Sequence, residues 1–178
     1  MKIMIASDIH GSAKYCRDML SAYDREKAEK LLLLGDILYH GPRNGLCDGY
    51  DPKAVADMLN ERSSDILCVR GNCDSEVDQM VLVFPIMSEF CLISDGGSTA
   101  LAVHGHKDMQ NLSLGGVEVV FSGHTHVPVC EDRGGVIFCN PGSVTIPKED
   151  SPRGYMIMSD GRLDWKTLEG EVYKSRIL

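Results

Sequence analysis

At 178 residues, 43% hydrophobic and 25% charged, the chain has the make-up of one globular domain, and disordered, collagen-like and membrane-spanning classes do not fit it. Eighteen Lys plus Arg against 26 Asp plus Glu give a formal charge of −8, which repels a nucleic-acid polymer unless bound divalent cations reverse the field locally. The seven cysteines are odd in number with no CxxC pair, arguing against a disulfide framework or zinc ribbon, and the absence of a signal segment or a membrane-length apolar run leads us to expect a cytoplasmic protein.

In chain order, Lys2–Ala6 is a short apolar run with the length of a buried strand, and it ends in Ser7-Asp8-Ile9-His10. Ser12 then offers an N-cap, and Cys16, Met19, Leu20, Tyr23 and Lys27 follow a helical stripe. Lys30–Leu34 is a second strand, ending in Gly35-Asp36. Asp51-Pro52 opens a second helix with Val55, Met58 and Leu59 on one face, and Ile66–Val69 forms a third strand ending in Gly71-Asn72. The front half therefore reads β-α-β-α-β.

Beyond about residue 90, strands and tight turns take over. Ala100–Val103 ends in His104-Gly105-His106, and Val117–Phe121 ends in Ser122-Gly123-His124-Thr125-His126. Val127–Cys130 and Val136–Cys139 flank a turn at residues 132–135. Tyr155–Ser159 and Leu163–Leu168 flank Asp160-Gly161, a hairpin signal because both turn residues tolerate positive φ. An α/β front and a β-rich rear predict two packed sheets with helices outside, in a single domain over residues 1–178.

Five strand ends carry Asp, Asn or His, and in open α/β sheets ligands sit outside the carboxyl ends of strands. Taken singly these motifs are ordinary, since Asp caps helices and histidines are common in surface loops. Their conjunction points to one crevice. Carboxylate, amide and imidazole donors without a sulfur cluster suit Mn²⁺, Fe, Zn²⁺ or Ni²⁺. Seven donors, Asp8, His10, Asp36, Asn72, His104, His124 and His126, exceed one ion's needs and fit two adjacent ions bridged by one carboxylate.

The blocks SDIH, LGD, RGNCD, VHGH and SGHTH, with NPGS at 140–143, resemble the signature of the calcineurin-like metallophosphoesterase family from residue 3 to about residue 147. The resemblance implies a four-layer α/β/β/α sandwich of two packed mixed sheets flanked by helices. It also implies two divalent ions, Mn²⁺ first, with Zn²⁺, Ni²⁺, Fe or Mg²⁺ as alternatives. By the same resemblance Asp8, His10 and His126 hold the first ion, Asn72, His104 and His124 the second, and Asp36 bridges both. The implied reaction is hydrolysis of a small phosphodiester by a metal-bound hydroxide.

Cys73 stands where many members place a catalytic His, and Asp74 is expected to orient that position, so both are candidate catalytic residues. Arg43 and Asn72 are candidate substrate-binding residues; a solvated loop is the other reading of Arg43. His40 and His106 either orient ligands or are structural, Lys148 is expected on the surface rather than at substrate, and NPGS is expected to support the histidine loop. Two other functions are open: a phosphomonoesterase or nucleotidase, and a scaffold module resembling the retromer subunit of this fold. Retention of all seven ligand types speaks against the scaffold. No nucleic-acid polymer or membrane partner is expected, and small relatives imply a homodimer or homotetramer.

Overall fold

The computed structural model describes residues 1–95, 98–107 and 115–178. Strands β1 (Ile3–Ala6), β2 (Lys30–Leu33) and β3 (Ile66–Cys68) lie parallel, with Ile3 opposite Lys30 and Leu31 opposite Ile66. Their runs are continuously apolar because both faces are covered. Met4, Ala6, Leu31 and Leu33 turn to one core, which also contains α1 (Ala13–Glu26) and α2 (Pro52–Asn60). Ile3, Ile5 and Leu32 turn to a second core between the sheets.

Capping chemistry sets the helices. Ser12 Oγ accepts the Tyr15 N–H at 3.3 Å, and α1 stops where Lys27 becomes left-handed at φ 52°. Asp51 accepts the Ala54 N–H at 3.0 Å, with Pro52 in the first turn of α2. A short helix absent from the sequence reading, α3 (Glu76–Val81), is opened by a capping box between Ser75 and Asp78.

The rear half supplies β4 (Cys91–Asp95), β5 (Ser98–Ala102), β6 (Val119–Phe121), β7 (Pro128–Arg133), β8 (Val136–Pro141), β9 (Gly154–Ser159), β10 (Arg162–Thr167) and β11 (Val172–Ile177). They complete two mixed sheets, ordered β11-β10-β9-β1-β2-β3 and β4-β5-β6-β8-β7. Phe121, Met156 and Trp165 fill the layer between them, and the fully buried Trp165 donates Nε1–H to Asn140 O at 2.7 Å, tying β10 to the end of β8. Asp160 and Gly161 take φ 50° and 70°, as the hairpin signal requires.

This is the expected sandwich of two mixed sheets flanked by helices. Strands β4 and β11, each at one edge of its sheet, went unread in the sequence. Every residue of β11 is exposed, so no buried face imposed a pattern on it. Among the described residues no helix is long and apolar enough to cross a membrane.

Candidate metal centre

The carboxyl ends of β1, β2, β3, β5 and β6 meet at one edge of the sandwich. Asp8 and His10 follow β1, Asp36 follows β2, Asn72 and Cys73 follow β3, His104 follows β5, and His124 and His126 follow β6. Asp8, His10, Asp36, His124 and His126 all have positive φ, between 49° and 65°. For non-glycine residues each such conformation costs about 1–3 kcal/mol and persists only where surrounding contacts enforce it. They do so here: His10 N–H donates to Asp36 O at 2.9 Å, and Gly123 N–H donates to His104 O at 2.9 Å. Two glycines make the approach possible. A Cβ on Gly71 would sit 2.1 Å from Asp36 Oδ1, and one on Gly123 would sit 2.0 Å from Ser7 Oγ.

Backbone carbonyls fix the imidazoles. Nδ1–H of His10, His104 and His126 donates to the carbonyls of Tyr39 (2.8 Å), Leu34 (2.6 Å) and Ile146 (2.8 Å), which turns each Nε2 toward the carboxylates. His126 Nε2 lies 3.2 Å from Asp8 Oδ1, and His10 Nε2 lies 3.7 Å and His104 Nε2 3.5 Å from Asp36 Oδ2. Asp8 Oδ2 accepts from Ser7 Oγ (2.6 Å) and from the His124 amide (3.0 Å), whereas the buried Asp8 Oδ1 has no hydrogen-bond partner. His104 Nε2 faces Asn72 Oδ1 at 3.0 Å. Acceptors crowded in this way, with one buried carboxylate oxygen unmatched, are a donor set that a cation satisfies. The ligand atoms of Asp8, His10 and His126 lie within 4.8 Å of one another, as do those of Asp36, His104 and His124, so each group has the donors and the spacing to hold a metal ion.

Electrostatics agrees with this geometry. Burial works against ionised carboxyls, but His10 and His126 hold Asp8 well below the usual carboxylate range, and His104 lowers Asp36. Reciprocally, burial would lower His104, yet Asp36 and Asp8 raise it to about 9. Divalent cations entering such a cluster displace imidazole protons, which couples their affinity to pH.

A cavity of about 250 Å³ opens over this cluster, and its lining includes Arg43, Asn72, Cys73 and Lys148. Lys148 is exposed, as expected of a surface residue, and it also lines this cavity. The half-buried Cys73 has its Sγ 3.3 Å from Asn72 Nδ2 and in ligand range of His10 and Asp36. Burial, followed by the Asp36 carboxylate, pushes its thiol up to about 12 while no cation is bound beside it.

Asp74 departs from its expected role of orienting residue 73. Its Oδ2 accepts the N–H groups of Asp36 (2.9 Å) and Gly71 (2.7 Å), and its Oδ1 accepts that of Ile37 (2.9 Å), so it braces the backbone turns that follow β2 and β3. His40 packs against the rings of Tyr39 and Tyr50, while His106 lies 5.4 Å from the ring of His104. The NPGS segment holds the histidine loop as expected. Asn140 Nδ2 donates to Gly123 O at 2.7 Å, and Ser143 Oγ donates to Asp8 O at 2.9 Å. Thr145, which the sequence reading passed over, adds a bond from Oγ1 to Ile9 O at 2.7 Å; nothing in a lone threonine marked it.

Comparison with known proteins gives a consistent result. Residues 1–160 match the model for the calcineurin-like phosphoesterase superfamily domain. The chain is 45% identical over 162 residues to phosphodiesterase YfcE of Escherichia coli (strain K12), covering 90% of this chain and 88% of that protein. It superposes on the solved structure of YfcE, a phosphoesterase from E. coli, with a TM-score of 0.92 at 40% identity, covering 99% of both chains. Vps29 from Entamoeba histolytica, solved in complex with zinc, shares the fold with a TM-score of 0.66 at 20% identity, over 100% of this chain and 98% of that one.

Proposed function

The chain belongs to the calcineurin-like phosphoesterase superfamily, and from that premise we propose that it is a phosphodiesterase cleaving a small phosphodiester at a centre of two divalent ions. The observation carrying this reading is a pair of adjacent donor groups, Asp8, His10 and His126 with the unmatched Asp8 Oδ1, and Asp36, His104 and His124, linked by His10 Nε2 at 3.7 Å from Asp36 Oδ2. Asp8, His10 and His126 would hold one ion, Asn72, His104 and His124 the other, and Asp36 both. Mixed oxygen and imidazole donors accommodate Mn²⁺, Fe, Zn²⁺ or Ni²⁺, and family resemblance puts Mn²⁺ first, with Mg²⁺ as a further competitor. Such a pair would supply Lewis-acid polarisation of phosphoryl oxygens and an acidified water as nucleophile.

The protein's own groups do the rest. The Nδ1–carbonyl bonds keep the imidazole tautomers fixed, and Asp74 keeps the Asp36 and Asn72 turns in register. Arg43, on the cavity wall, is suited to fork onto phosphoryl oxygens. With Cys73 at the position where many family members carry a histidine, the cavity has no imidazole proton donor there, which favours esters whose leaving group departs without strong acid help. The name of the 45% identical relative supports the same substrate class. The scaffold reading gains only fold-level support from Vps29, and all seven ligand types are retained in this chain.

Purified, Mn²⁺-loaded protein is expected to hydrolyse bis(p-nitrophenyl) phosphate faster than p-nitrophenyl phosphate. The reverse order would favour the monoesterase reading, and metal bound without hydrolysis of either would favour the scaffold. Asp36→Asn is expected to lower bound metal, measured by elemental analysis, and to cut diester turnover by at least roughly 100-fold.

A further inference from the structure

An unusual turn holds the backbone of Lys148, an exposed residue in the cavity lining. Its backbone N–H donates to His126 O at 3.2 Å, only two residues beyond Ile146, whose carbonyl fixes the His126 ring. Ser151 closes the turn, donating to Lys148 O from N–H at 3.1 Å and from Oγ at 2.6 Å. Between them Glu149 and Asp150 both take φ 55°. Two consecutive left-handed residues without glycine are strained, and the turn that bears this strain is the one that presents Lys148 beside a candidate metal ligand.

Charge sharpens the point. In this acidic chain most cations are tied to carboxylates: Lys2 and Lys166 to Glu26, Lys14 to Asp48, Lys53 to Asp57. Arg43 and Lys148 have no ion-pair partner among the described residues, and both line the cavity above the metal cluster. Divalent ions would already present positive charge to the scissile phosphoryl group. Two further unneutralised cations exceed what a singly charged diester can match.

We propose that Lys148, with Arg43, selects phosphodiesters that carry a second anionic group beyond the scissile phosphoryl. This inference rests on the phosphodiesterase reading and deepens it by naming the substrate class. A Lys ammonium acts as a point charge without the directional fork of Arg, so Lys148 recognises the charge of that group more than its shape. The inference makes Lys148 a specificity-determining residue.

The test compares two substrates of the Mn²⁺-loaded protein: thymidine 5′-(p-nitrophenyl phosphate) with and without a 3′-phosphate. The unaltered chain is expected to favour the 3′-phosphorylated compound by roughly tenfold in kcat/KM. Lys148→Ala should bring that ratio close to one, Lys148→Arg should retain most of it, and Lys27→Ala, at the far end of α1, should leave it unchanged. Calorimetric binding of 3-phosphonopropionate against propylphosphonate gives a readout independent of turnover, and Lys148→Ala should weaken the former more than the latter. A ratio near one in the unaltered chain, or a preference that survives Lys148→Ala in both measurements, overturns the proposal. Failure of the unaltered chain to hydrolyse any diester strikes the phosphodiesterase reading instead, and the phosphonate pair still decides the role of Lys148.

Discussion

Cys73 is the residue at which the proposed function is most directly tested. Its thiol sits in ligand range of His10 and Asp36, and burial and the nearby Asp36 carboxylate oppose a thiolate while no cation is bound. Cys73→Ala is expected to keep its metal content and to lose less than about tenfold in bis(p-nitrophenyl) phosphate turnover, since an aryl leaving group needs little protonation. Cys73→His should raise turnover of a monoester relative to the diester, measured with p-nitrophenyl phosphate under the same metal load. Asp74 is different in kind. It is buried and accepts three backbone amides, so Asp74→Ala leaves those donors unmatched and should cost about 3 kcal/mol in denaturant unfolding. In the sequence, residues 73 and 74 read as one catalytic pair, because adjacency in RGNCD hides that one side chain faces the cavity and the other the backbone.

Among the elements, the join between α1 and the first sheet has its own chemistry. Glu26, at the end of α1, takes hydrogen bonds from Lys166 on β10, from Lys2 at the start of β1 (3.0 Å) and from Tyr155 on β9 (2.9 Å). Burial alone would raise the Glu26 carboxyl, but these three partners outweigh it and hold it at about 2, below its ordinary 4.5. The depressed value contributes stability that is complete above pH 4.5 and drains as pH falls toward about 2. Unfolding in denaturant should therefore show Glu26→Gln less stable than the unaltered chain by on the order of 2 kcal/mol at pH 6, with the gap narrowing at pH 3. None of this was legible in the sequence, since Lys2, Glu26, Tyr155 and Lys166 are scattered along the chain. Elements with a buried face were legible: the apolar runs gave β1, β2 and β3, and Ser12 and Asp51 gave the two helix starts. Helix α3 and the edge strands β4 and β11 bury little, and their sequences carry little periodicity.

For the whole molecule, the two cores and the metal cluster share strands β1, β2 and β3, so we infer that the chain unfolds as one unit. Fluorescence of Trp165, the sole tryptophan and fully buried between the sheets, should report a single transition. Mn²⁺ at about 100 times its dissociation constant should stabilise the protein by about 2.7 kcal/mol per occupied site, with a matching rise in Tm that a chelator reverses. Asp36→Asn should blunt that rise.

The sequence by itself determined the alternation of strands and helices, the order of the polar strand ends and the identity of the donors, because these follow from local periodicity and from residue chemistry at fixed spacing. Only the tertiary structure decided that Asp74 braces backbone, that Glu26 knits α1 to the first sheet, and that Lys148 enters the cavity wall. Each depends on contacts between segments far apart in the chain, and for those only the closed sandwich sets the distance.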